Sequence, residues 1–394
     1  MKQATTGNAG PRVRSDIEVT LELTDSGGIE LNIKSKVKSM YGRAIEEQCR
    51  NLLEYFDITS ARLSVNDSGA LPFVIAARIE AAVKALTGTS KSFIPEMIPA
   101  NNYASSRERY RFSRLYLPGN NPGMFLNAGL HSPDGIILDL EDSVAPDRKD
   151  EARILVRNAL RAVDFYGAER MVRINQGERG MKDLEELIPH NVHLVLVPKC
   201  ESAGNLRAID RKIREIKAGA GQEGTVFIMP IIESAAGVEH AGEIASATDA
   251  VVALAIGLED YTADLGVQRT KEGSESLYAR NRIVVASKAA GIQPIDSVFS
   301  DVGDMEGLLQ NVRSQRRWVS REWDASTAPD SSYKGGILPL TRRNRKGKKD
   351  SYRLPRCIGK RTGGCGPGYQ DDRPSGGFQG RKDDNSGSQA RPPA

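Results

Sequence analysis

The sequence predicts an α/β protein: a (β/α)8 TIM-type barrel with its eighth strand missing, preceded by a small α+β domain and followed by a disordered tail. Three observations predict this arrangement. Short apolar runs of β-forming residues recur through the middle of the chain, with helical patterns between several of them, as in a parallel sheet. Residues 1–86 carry a separate set of strand and helix patterns. From residue 316 onward the chain is basic and rich in Gly, Pro, Ser and Asp, a composition typical of disorder.

Composition excludes several classes of protein. With 394 residues, the chain has room for two or three domains. It has no run of roughly 18–20 apolar residues, and residues 1–6 lack the apolar region of a signal peptide, so we expect a soluble, cytoplasmic protein without membrane contact. The cysteines form no Cys-x-x-Cys pair, which excludes a disulfide scaffold and a zinc site. They are Cys49, Cys200, Cys357 and Cys365.

The net charge of +4 is divided unevenly along the chain. Residues 316–394 contain 18 Lys and Arg against 8 Asp and Glu, whereas the rest of the chain has an acidic balance of −6. A nucleic-acid-binding role would therefore depend on the tail alone, and we expect no nucleic-acid partner.

Residues 1–86 are predicted to form the small α+β domain. Two segments, Asp16-Ile-Glu-Val-Thr-Leu-Glu-Leu and Ile29-Glu-Leu-Asn-Ile-Lys, alternate apolar and polar residues, which is the period of a half-buried strand. A turn at Asp25-Ser-Gly-Gly separates them, so the pair predicts a hairpin. Residues 87–109 are interpreted as a linker. The remaining patterns are two helices and one strand, at 43–56, 74–86 and 61–65.

Residues 110–315 are predicted to form the barrel. Seven β-forming runs are visible, and polar or charged residues follow most of them. A (β/α)8 barrel places its active site at the carboxyl ends of its strands, where these residues lie. A doubly wound sheet is the alternative, but no Gly-x-Gly-x-x-Gly loop follows the first run, so the barrel is favoured. The runs span residues 115–117, 135–140, 171–174, 194–197, 226–232, 251–256 and 292–299.

The polar residues at these strand ends predict a magnesium site. Carboxylates from several strands that meet at one mouth suit a hard divalent cation, and Mg2+ usually takes only one or two of them. An arginine beside such a site can clamp a substrate carboxylate through two parallel hydrogen bonds. The histidines lack the spacing of metal ligands, which disfavours zinc. The strand-end residues are Asp139, Glu141, Asp142, Arg173, Asn175, Lys199, Glu233, Glu259, Asp260 and Asp264.

Each of these residues also has a less specific interpretation. Acidic residues at strand ends are often helix N-caps or loop charges. Arg173 could equally form a surface ion pair. Lys199, which follows Pro198, is interpreted as structural and not as a Schiff-base lysine. Cys200 is interpreted as a packed thiol, because no histidine is placed by the sequence to activate it.

Six sequence motifs follow one another along the chain in the same order as in a known protein family. Together they resemble the citrate lyase β-subunit family, citryl-thioester lyases of the HpcH/HpaI aldolase superfamily, over roughly residues 110–314. The motifs are Phe112-Ser-Arg-Leu-Tyr-Leu-Pro-Gly, Ile137-Leu-Asp-Leu-Glu-Asp-Ser-Val-Ala-Pro, Val172-Arg-Ile-Asn, Val197-Pro-Lys, Ile231-Ile-Glu-Ser-Ala-Ala-Gly-Val and Gly257-Leu-Glu-Asp-Tyr-Thr-Ala-Asp-Leu-Gly.

This resemblance implies a Mg2+-dependent carbon–carbon lyase that cleaves a citryl thioester, as citryl-CoA or citryl carrier protein, to oxaloacetate and an acetyl thioester. It implies that Glu233 and Asp260 hold Mg2+ and that Arg173 binds the oxaloacetate carboxylate. An acidic cluster would support the site through the waters around the metal, and a carboxylate or a metal-bound water would take the hydroxyl proton. The cluster consists of Asp139, Glu141 and Asp142. The alternatives are a malyl-CoA or methylmalyl-CoA lyase on the same scaffold, and an inactive barrel that acts as a binding protein.

Residues 9–86 resemble the citrate lyase γ-subunit, the acyl carrier protein, through segments such as Val65-Asn-Asp-Ser-Gly-Ala-Leu. In that family a serine carries a phosphoribosyl-dephospho-CoA group through a phosphodiester. Gapless alignment puts Arg14 at that serine, so the adjacent Ser15 is the candidate attachment site. The alternative is an unmodified domain and a lyase that uses free CoA thioesters. The resemblance also implies a citrate lyase α-subunit, an acyltransferase, as a separate partner, and a homo-oligomer, which is a trimer in relatives.

Two departures from the family pattern concern the barrel. Gly123 and Asn127 stand where the family commonly has basic residues, which would weaken contacts with the thioester phosphates. The family's eighth strand, roughly Gly-Phe-x-Gly-x-x-x-Ile-His-Pro-x-Gln, does not follow Ser314. Codons for residues 318–327 can encode Gly-Phe-Glu-Gly-Met-Gly-Cys-Ile-His in another reading frame. This favours a frameshift near Gln315, in the gene or its sequencing, and the alternative is an intact gene with a genuine basic tail.

Overall fold

The structure, a computed structural model, describes residues 2–270, 272–299, 303, 304, 306, 307 and 309. The predicted tail at 316–394 and the hypothetical frameshift near Gln315 lie outside these residues. Within them the chain forms two sheets, of four and seven strands. No helix in this described part of the chain has the length and hydrophobicity needed to cross a membrane.

Four strands form the N-terminal sheet: β1 (Gln3–Thr6), β2 (Ile17–Leu23), β3 (Ile29–Ser35) and β4 (Ala61–Asp67). Their order is β1-β2-β4-β3, so the predicted hairpin of β2 with β3 is wrong. β4 lies between them, antiparallel to β2 and parallel to β3. The physical reason is burial: β4 buries every second residue, including Leu63 and Val65, and takes the central position, whereas β3 is only half-buried.

Two helices belong to this N-terminal half: α1 (Lys38–Tyr55) and α2 (Pro72–Thr87). α2 begins with Pro72, whose missing N–H leaves no helical hydrogen bond unmade at that position. It ends at Gly88, which has a φ of 66°, the left-handed conformation that commonly ends a helix. Most of α2 is buried, including the charged residues Arg78 and Glu80. A helix buried to this extent must be covered on more than one face.

Seven strands form the second sheet: β5 (Arg114–Pro118), β6 (Gly135–Asp139), β7 (Glu169–Arg173), β8 (Leu194–Val197), β9 (Phe227–Ile232), β10 (Ala253–Ile256) and β11 (Gln293–Ile295). All are parallel and lie side by side in sequence order, from β5 at one edge to β11 at the other. This is the strand arrangement of a TIM-type barrel, and all seven predicted strands are confirmed.

Helices alternate with these strands. The α-helices are α3 (Pro122–Phe125), α4 (Lys149–Ala162), α5 (Gly177–Leu187), α6 (Ala203–Gly219), α7 (Ala235–Glu239), α8 (Ala241–Ala245), α9 (Leu258–Asp264) and α10 (Leu277–Ala289). Short 3-10 turns occur at Pro99–Asn101, Gly129–His131, Pro146–Arg148, Ile188–His190 and Ser274–Ser276. One cluster of apolar strand side chains fills the sheet interior, so the barrel is a packed core and not a pore. Its members include Ile137, Met171, Leu194, Leu196, Met229 and Ile231.

The segment between the two halves crosses the amino ends of the barrel strands. Arg111 forms a fully buried ion pair with Glu169 at the start of β7, with Nε 2.7 Å from Oε2. Gln293, at the start of β11, donates from Nε2 to the Arg109 carbonyl at 2.9 Å. These contacts occupy one end of the sheet, so the carboxyl ends of the strands form the end available to a substrate.

Candidate active site

Two neighbouring strands bring an aspartate and an arginine together at their carboxyl ends. Asp139 is the last residue of β6 and Arg173 the last of β7, and the two are paired in register. Arg173 donates from Nε to Asp139 Oδ1 at 2.6 Å and from Nη2 to Oδ2 at 2.7 Å, a bidentate ion pair. Burial alone would raise the pKa of Asp139, but the hydrogen bonds and charge of Arg173 outweigh it and hold that pKa below its ordinary value.

The other two residues of the predicted acidic cluster also face Arg173. Its Nη1 lies 3.0 Å from Glu141 Oε2 and donates to Asp142 Oδ2 at 3.2 Å. The Asp142 side chain is 55% exposed, whereas that of Asp139 is 3% exposed. The structure therefore brings Arg173 and all three predicted acids together. Asp142 is the solvent-facing partner, the one that an incoming anion can replace.

Two further side chains hold Glu141 and its loop in place. Gln176 donates from Nε2 to Glu141 Oε1 at 2.9 Å. Lys149 donates from Nζ to the backbone carbonyls of Leu140 and Glu141, at 3.1 and 2.9 Å. Burial raises the pKa of Glu141, and the charge of Asp142 adds to this effect against the opposing contacts of Gln176 and Arg173.

Lys199 connects the two predicted metal ligands. Glu233 follows β9, and Asp260 lies in the first turn of α9, just after β10. The Lys199 N–H donates to Glu233 Oε2 at 2.8 Å, and its Nζ lies 3.3 Å from Asp260 Oδ2. Lys199 has a φ of 46°, a left-handed conformation that is uncommon for a residue other than glycine. One strained residue thus contacts both carboxylates.

The environment of Glu233 favours a nearby cation. Burial raises the pKa of Glu233 to about 7, and the charges of Asp260 and Glu141 add to this shift against the Lys199 N–H and the charge of Arg173. Gly257 packs against this side chain, since a Cβ there would lie 2.5 Å from Glu233 Oε1. Because the charge of Arg173 affects the pKa of Glu233, the two side chains lie close enough to interact electrostatically.

The donor set fits Mg2+. Glu233 and Asp260 provide two carboxylates, as many as a magnesium site commonly takes from the protein, and leave other positions to water or substrate. Among the described residues, no group of three or more His, Cys, Asp or Glu side chains has the geometry of a metal site.

Other residues singled out from the sequence have local roles. Asn175 accepts a hydrogen bond from Lys149 Nζ at 2.5 Å. Asp264 accepts one from the Ala235 N–H at 2.8 Å, at the start of α7. Cys200 is buried, and burial raises the pKa of its thiol to about 11, so it is the packed thiol that the sequence predicts.

Sequence reasoning missed the parts of the site that act through backbone or packing. The sequence interprets Lys199 as structural and does not predict that it contacts both Glu233 and Asp260, as it does in the structure. Its position in Val197-Pro-Lys at a strand end was the available signal. The position of Gly257, directly after β10, was a comparable signal, because it is also at a strand end. Lys149 and Gln176 belong to helical or loop sequence with no distinguishing pattern.

Ser15, the candidate attachment site, lies just before β2 in the N-terminal half. Its N–H donates to the Ser68 carbonyl at 3.0 Å, and its φ is 56°. The carbonyl of the preceding residue, Arg14, faces Gly123 in α3, where a Cβ would lie 2.9 Å from that oxygen. Because α3 follows β5, the loop that carries Ser15 approaches the carboxyl end of the barrel sheet.

Residues 113–321, just over half of the chain, match the sequence profile described as HpcH/HpaI aldolase/citrate lyase. The chain belongs to this family. Residues 3–86 match an acyl carrier profile described as malonate decarboxylase delta subunit (MdcD). The chain is therefore an HpcH/HpaI-type carbon–carbon lyase with an acyl-carrier-like N-terminal domain, which confirms both resemblances.

Curated relatives match about half of this chain. The citrate lyase subunit beta of Leuconostoc mesenteroides subsp. cremoris is 38% identical over 211 residues, which are 53% of this chain and 70% of the relative. The citrate lyase subunit beta of Escherichia coli strain K12 is 38% identical over 207 residues, 52% of this chain and 68% of the relative. The L-malyl-CoA/beta-methylmalyl-CoA lyase of Cereibacter sphaeroides (strain ATCC 17025) is 33% identical over 222 residues, 51% of this chain and 70% of the relative.

Solved structures also resemble about half of this chain. A citrate lyase beta subunit from M. tuberculosis, described as complexed with oxaloacetate and magnesium, is 29% identical with a TM-score of 0.44, covering 54% of this chain and 88% of that one. RipC from Yersinia pestis is 28% identical with a TM-score of 0.43, covering 54% of this chain and 87% of that one.

Proposed function

We propose that this lyase cleaves a citryl thioester into oxaloacetate and an acetyl thioester, with Mg2+ held by Glu233 and Asp260. Arg173 would bind the carboxylate of the oxo-acid half. One observation carries the proposal: Arg173, Glu233 and Asp260 all lie at the carboxyl ends of barrel strands. The charges of Arg173 and Asp260 both influence the pKa of Glu233. The identity with citrate lyase beta subunits over this half of the chain supports the choice of substrate.

In the cleavage, the bond between the hydroxyl-bearing carbon and the methylene carbon next to the thioester breaks. The hydroxyl loses its proton and becomes the ketone of oxaloacetate, while the bond's electron pair forms the acetyl-thioester enolate, which is then protonated. Bound Mg2+ would supply Lewis acidity that favours ionisation of the hydroxyl. Arg173 would keep its buried pair with Asp139 and exchange the exposed Asp142 for the substrate carboxylate.

Glu141 is our choice for the group that takes the hydroxyl proton. Burial raises its pKa above the ordinary value of a glutamate, which makes the carboxylate a stronger base. Its Oε2 is buried and makes no hydrogen bond, although Arg173 Nη1 lies 3.0 Å away. Gln176 fixes the other oxygen, Oε1, and so orients the carboxylate.

The carrier-like domain extends the proposal to the thioester itself. We propose that Ser15 carries a phosphoribosyl-dephospho-CoA group through a phosphodiester, and that a separate citrate lyase α-subunit loads the acyl group. A homotrimer is the proposed oligomer. Intact mass spectrometry of the chain purified from its own organism tests the modification, since a single adduct at Ser15 is expected and an unmodified mass would favour free CoA thioesters.

A malyl-CoA or methylmalyl-CoA lyase is the second candidate. The observation in its favour is the 33% identity with the Cereibacter sphaeroides enzyme over the same half of the chain. Both reactions need a metal and an arginine for the oxo-acid carboxylate, so the site residues named above do not separate them.

A direct assay compares the two substrates. The purified chain is mixed with citryl-CoA or malyl-CoA and Mg2+, and the oxo-acid product is measured. We expect oxaloacetate from citryl-CoA, loss of turnover with EDTA and with Glu233→Gln, and no change with Lys182→Ala, an exposed residue of α5. Glyoxylate release from malyl-CoA alone would support the second candidate. Tight binding of citryl-CoA without turnover would instead support a barrel that acts as a binding protein.

A further inference from the structure

The two halves of the chain are joined through buried ion pairs between α2 and α4. Arg157 of α4 donates from Nη1 to Glu80 Oε1 at 2.9 Å and from Nη2 to Oε2 at 2.7 Å. Both side chains are fully buried. Asn158 of α4 also donates to the Phe73 carbonyl of α2 at 3.1 Å. Separating the halves would break this bidentate buried pair and leave Glu80 only Lys84, and Arg157 only Glu186, as ionic partners. The loss opposes movement of the domain away from the barrel.

A second network ties the loop before β2 to the barrel. Arg78 of α2 donates from Nε and Nη2 to the two carboxylate oxygens of Asp16, both at 3.0 Å. The same guanidinium lies 3.2 Å from Glu151 Oε1 of α4 and donates to the Asn120 carbonyl, after β5, at 2.9 Å. One arginine, itself fully buried, thus holds both the N-terminal loop and two barrel elements.

Gly7, at the start of this loop, is bonded to the barrel through both of its backbone groups. Its N–H donates to Glu151 Oε2 at 3.0 Å, and its carbonyl accepts from Arg148 Nη2 at 2.6 Å. Gly7 has a φ of 75°, and a Cβ there would lie 1.9 Å from the Ile17 carbonyl oxygen, so only glycine fits. The 7–16 loop is therefore fixed to the barrel near its start and, through Asp16, at its end.

Near its end, the loop contacts α3, which follows β5 on the carboxyl side of the barrel sheet. Arg14 packs its carbonyl against Gly123, the position where the sequence departs from the basic residue common in the family. Gly119, four residues earlier, donates its N–H to the Asp139 carbonyl at 2.7 Å. Four Cα steps and one interstrand spacing put Gly123 within about 20 Å of Asp139, and the contact between Gly123 and Arg14 adds roughly 5 Å. The phosphopantetheine part of the proposed group alone has about 14 bonds to its sulfur and spans about 18 Å when extended. The phosphoribosyl-nucleotide between it and Ser15 makes the whole arm longer, so its sulfur can reach Asp139.

We infer that the N-terminal domain is a fixed wall of the lyase site and not a carrier that moves between sites, and that a thioester arm on Ser15 enters the barrel of its own chain. The fixed position follows from the interface alone. What the arm carries rests on the proposed function. The acyltransferase that loads the arm must therefore come to the barrel rim, since the carrier domain does not leave it.

A distance measurement tests the fixed position without any catalysis. Nitroxide labels are placed on Ser26→Cys, in the turn after β2, and Lys182→Cys, on α5, both exposed. Cys49 and Cys200 are buried, and the two cysteines beyond the described residues, Cys357 and Cys365, are replaced by serine. We expect one narrow distance distribution in the full chain. A broad distribution in this otherwise intact chain would overturn the inference.

Two variants make the measurement specific. Glu80→Ala removes the partner that Arg157 has on α2 and should broaden the distribution. Glu46→Ala removes only the exposed pair with Arg50 on α1 and should leave it narrow. If both variants changed the width of the distance distribution equally, the Glu80–Arg157 pair would not be what fixes the domain to the barrel.

A mixing experiment tests delivery within one chain. One variant, Ser15→Ala, keeps the barrel but cannot carry the arm, and the other, Arg173→Ala, carries the arm on an impaired barrel. After loading, we expect the mixture to release no more oxaloacetate than the two variants measured apart, whereas the loaded wild-type chain turns over. Turnover that appears only in the mixture would overturn delivery in cis. If the loaded wild-type chain is also inactive, the proposed function fails, and the distance distribution still decides whether the domain is fixed.

Discussion

Replacing Glu233 by glutamine should stabilise the metal-free protein at alkaline pH while removing one carboxylate of the proposed magnesium site. The structure holds this carboxylate in a buried position with Asp260 and Glu141 close enough to repel it. Burial therefore penalises the ionised form in the folded state, and the unfolded chain ionises the same group freely. Glutamine keeps the shape of the side chain and removes the charge.

The size of the effect follows from the pKa of Glu233. Its ordinary value is 4.5 and its value in the folded protein is about 7. A shift of this size corresponds to about 3 kcal/mol, since one pKa unit is about 1.4 kcal/mol. Because the folded pKa is the higher one, wild-type stability from this group is complete below pH 4.5, falls between pH 4.5 and 7, and is lost above pH 7. Glu233→Gln should therefore match wild type near the acid end and exceed it by about 3 kcal/mol at pH 8.

Urea denaturation in EDTA at several pH values measures this difference. Glu178→Gln, at an exposed position of α5, is the matched control and should follow wild type at every pH. Adding Mg2+ at pH 8 should then stabilise wild type and leave Glu233→Gln unchanged, because bound metal shifts folding only where a site exists. Equal stability of wild type and Glu233→Gln at pH 8 in EDTA would refute the reasoning.

Three further predictions use other residues. Gly257→Ala should weaken Mg2+ binding about 10–100-fold in calorimetric titration, because its Cβ would displace Glu233, the proposed ligand; unchanged affinity would contradict the proposed role of Glu233. Arg173→Lys should lower kcat/KM about 10–100-fold in the oxo-acid assay, since lysine cannot make the bidentate pair, and a change below about twofold would exclude that role. Glu80→Ala should lower the free energy of unfolding by about 3 kcal/mol in urea, because Arg157 loses its main buried partner, whereas Glu46→Ala should cost less than about 1 kcal/mol; similar losses would contradict the assignment.

The barrel strands were predictable because each carries its own signal. β8 and β10 are continuous apolar runs, as expected for strands covered on both faces, and both are buried throughout. Their order follows from the tendency of consecutive β–α units to lie side by side. The prediction of a hairpin between β2 and β3 was wrong because the sequence pattern does not identify neighbouring strands. Alternation in β2 and β3 reports which face is buried and not which strand is the neighbour, and β4, much later in the sequence, takes the place between them.

The parts of the candidate site that depend only on a residue's position at a strand end were predictable from the sequence. Parallel strands bring their carboxyl ends to one edge, so Asp139 and Arg173 could be expected to meet before any contact was known. Contacts between distant parts of the chain were not predictable in this way. Glu80 and Arg157 are 77 residues apart, and the helical period of α4 does not reveal that a second face of that helix meets another domain.

α2 is buried on two sides, against the sheet of its own domain and against α4. This limits how the gene can be rearranged. A helix that serves one domain can change sequence together with that domain, but α2 must satisfy its own sheet and α4 at once. Recombination within residues 87–109, the natural place to exchange modules, would bring a foreign helix against Arg157 or present Glu80 to a foreign barrel. The smallest exchangeable unit therefore extends from β1 through the end of α4 at Ala162, past the point where the sequence changes from one module to the next.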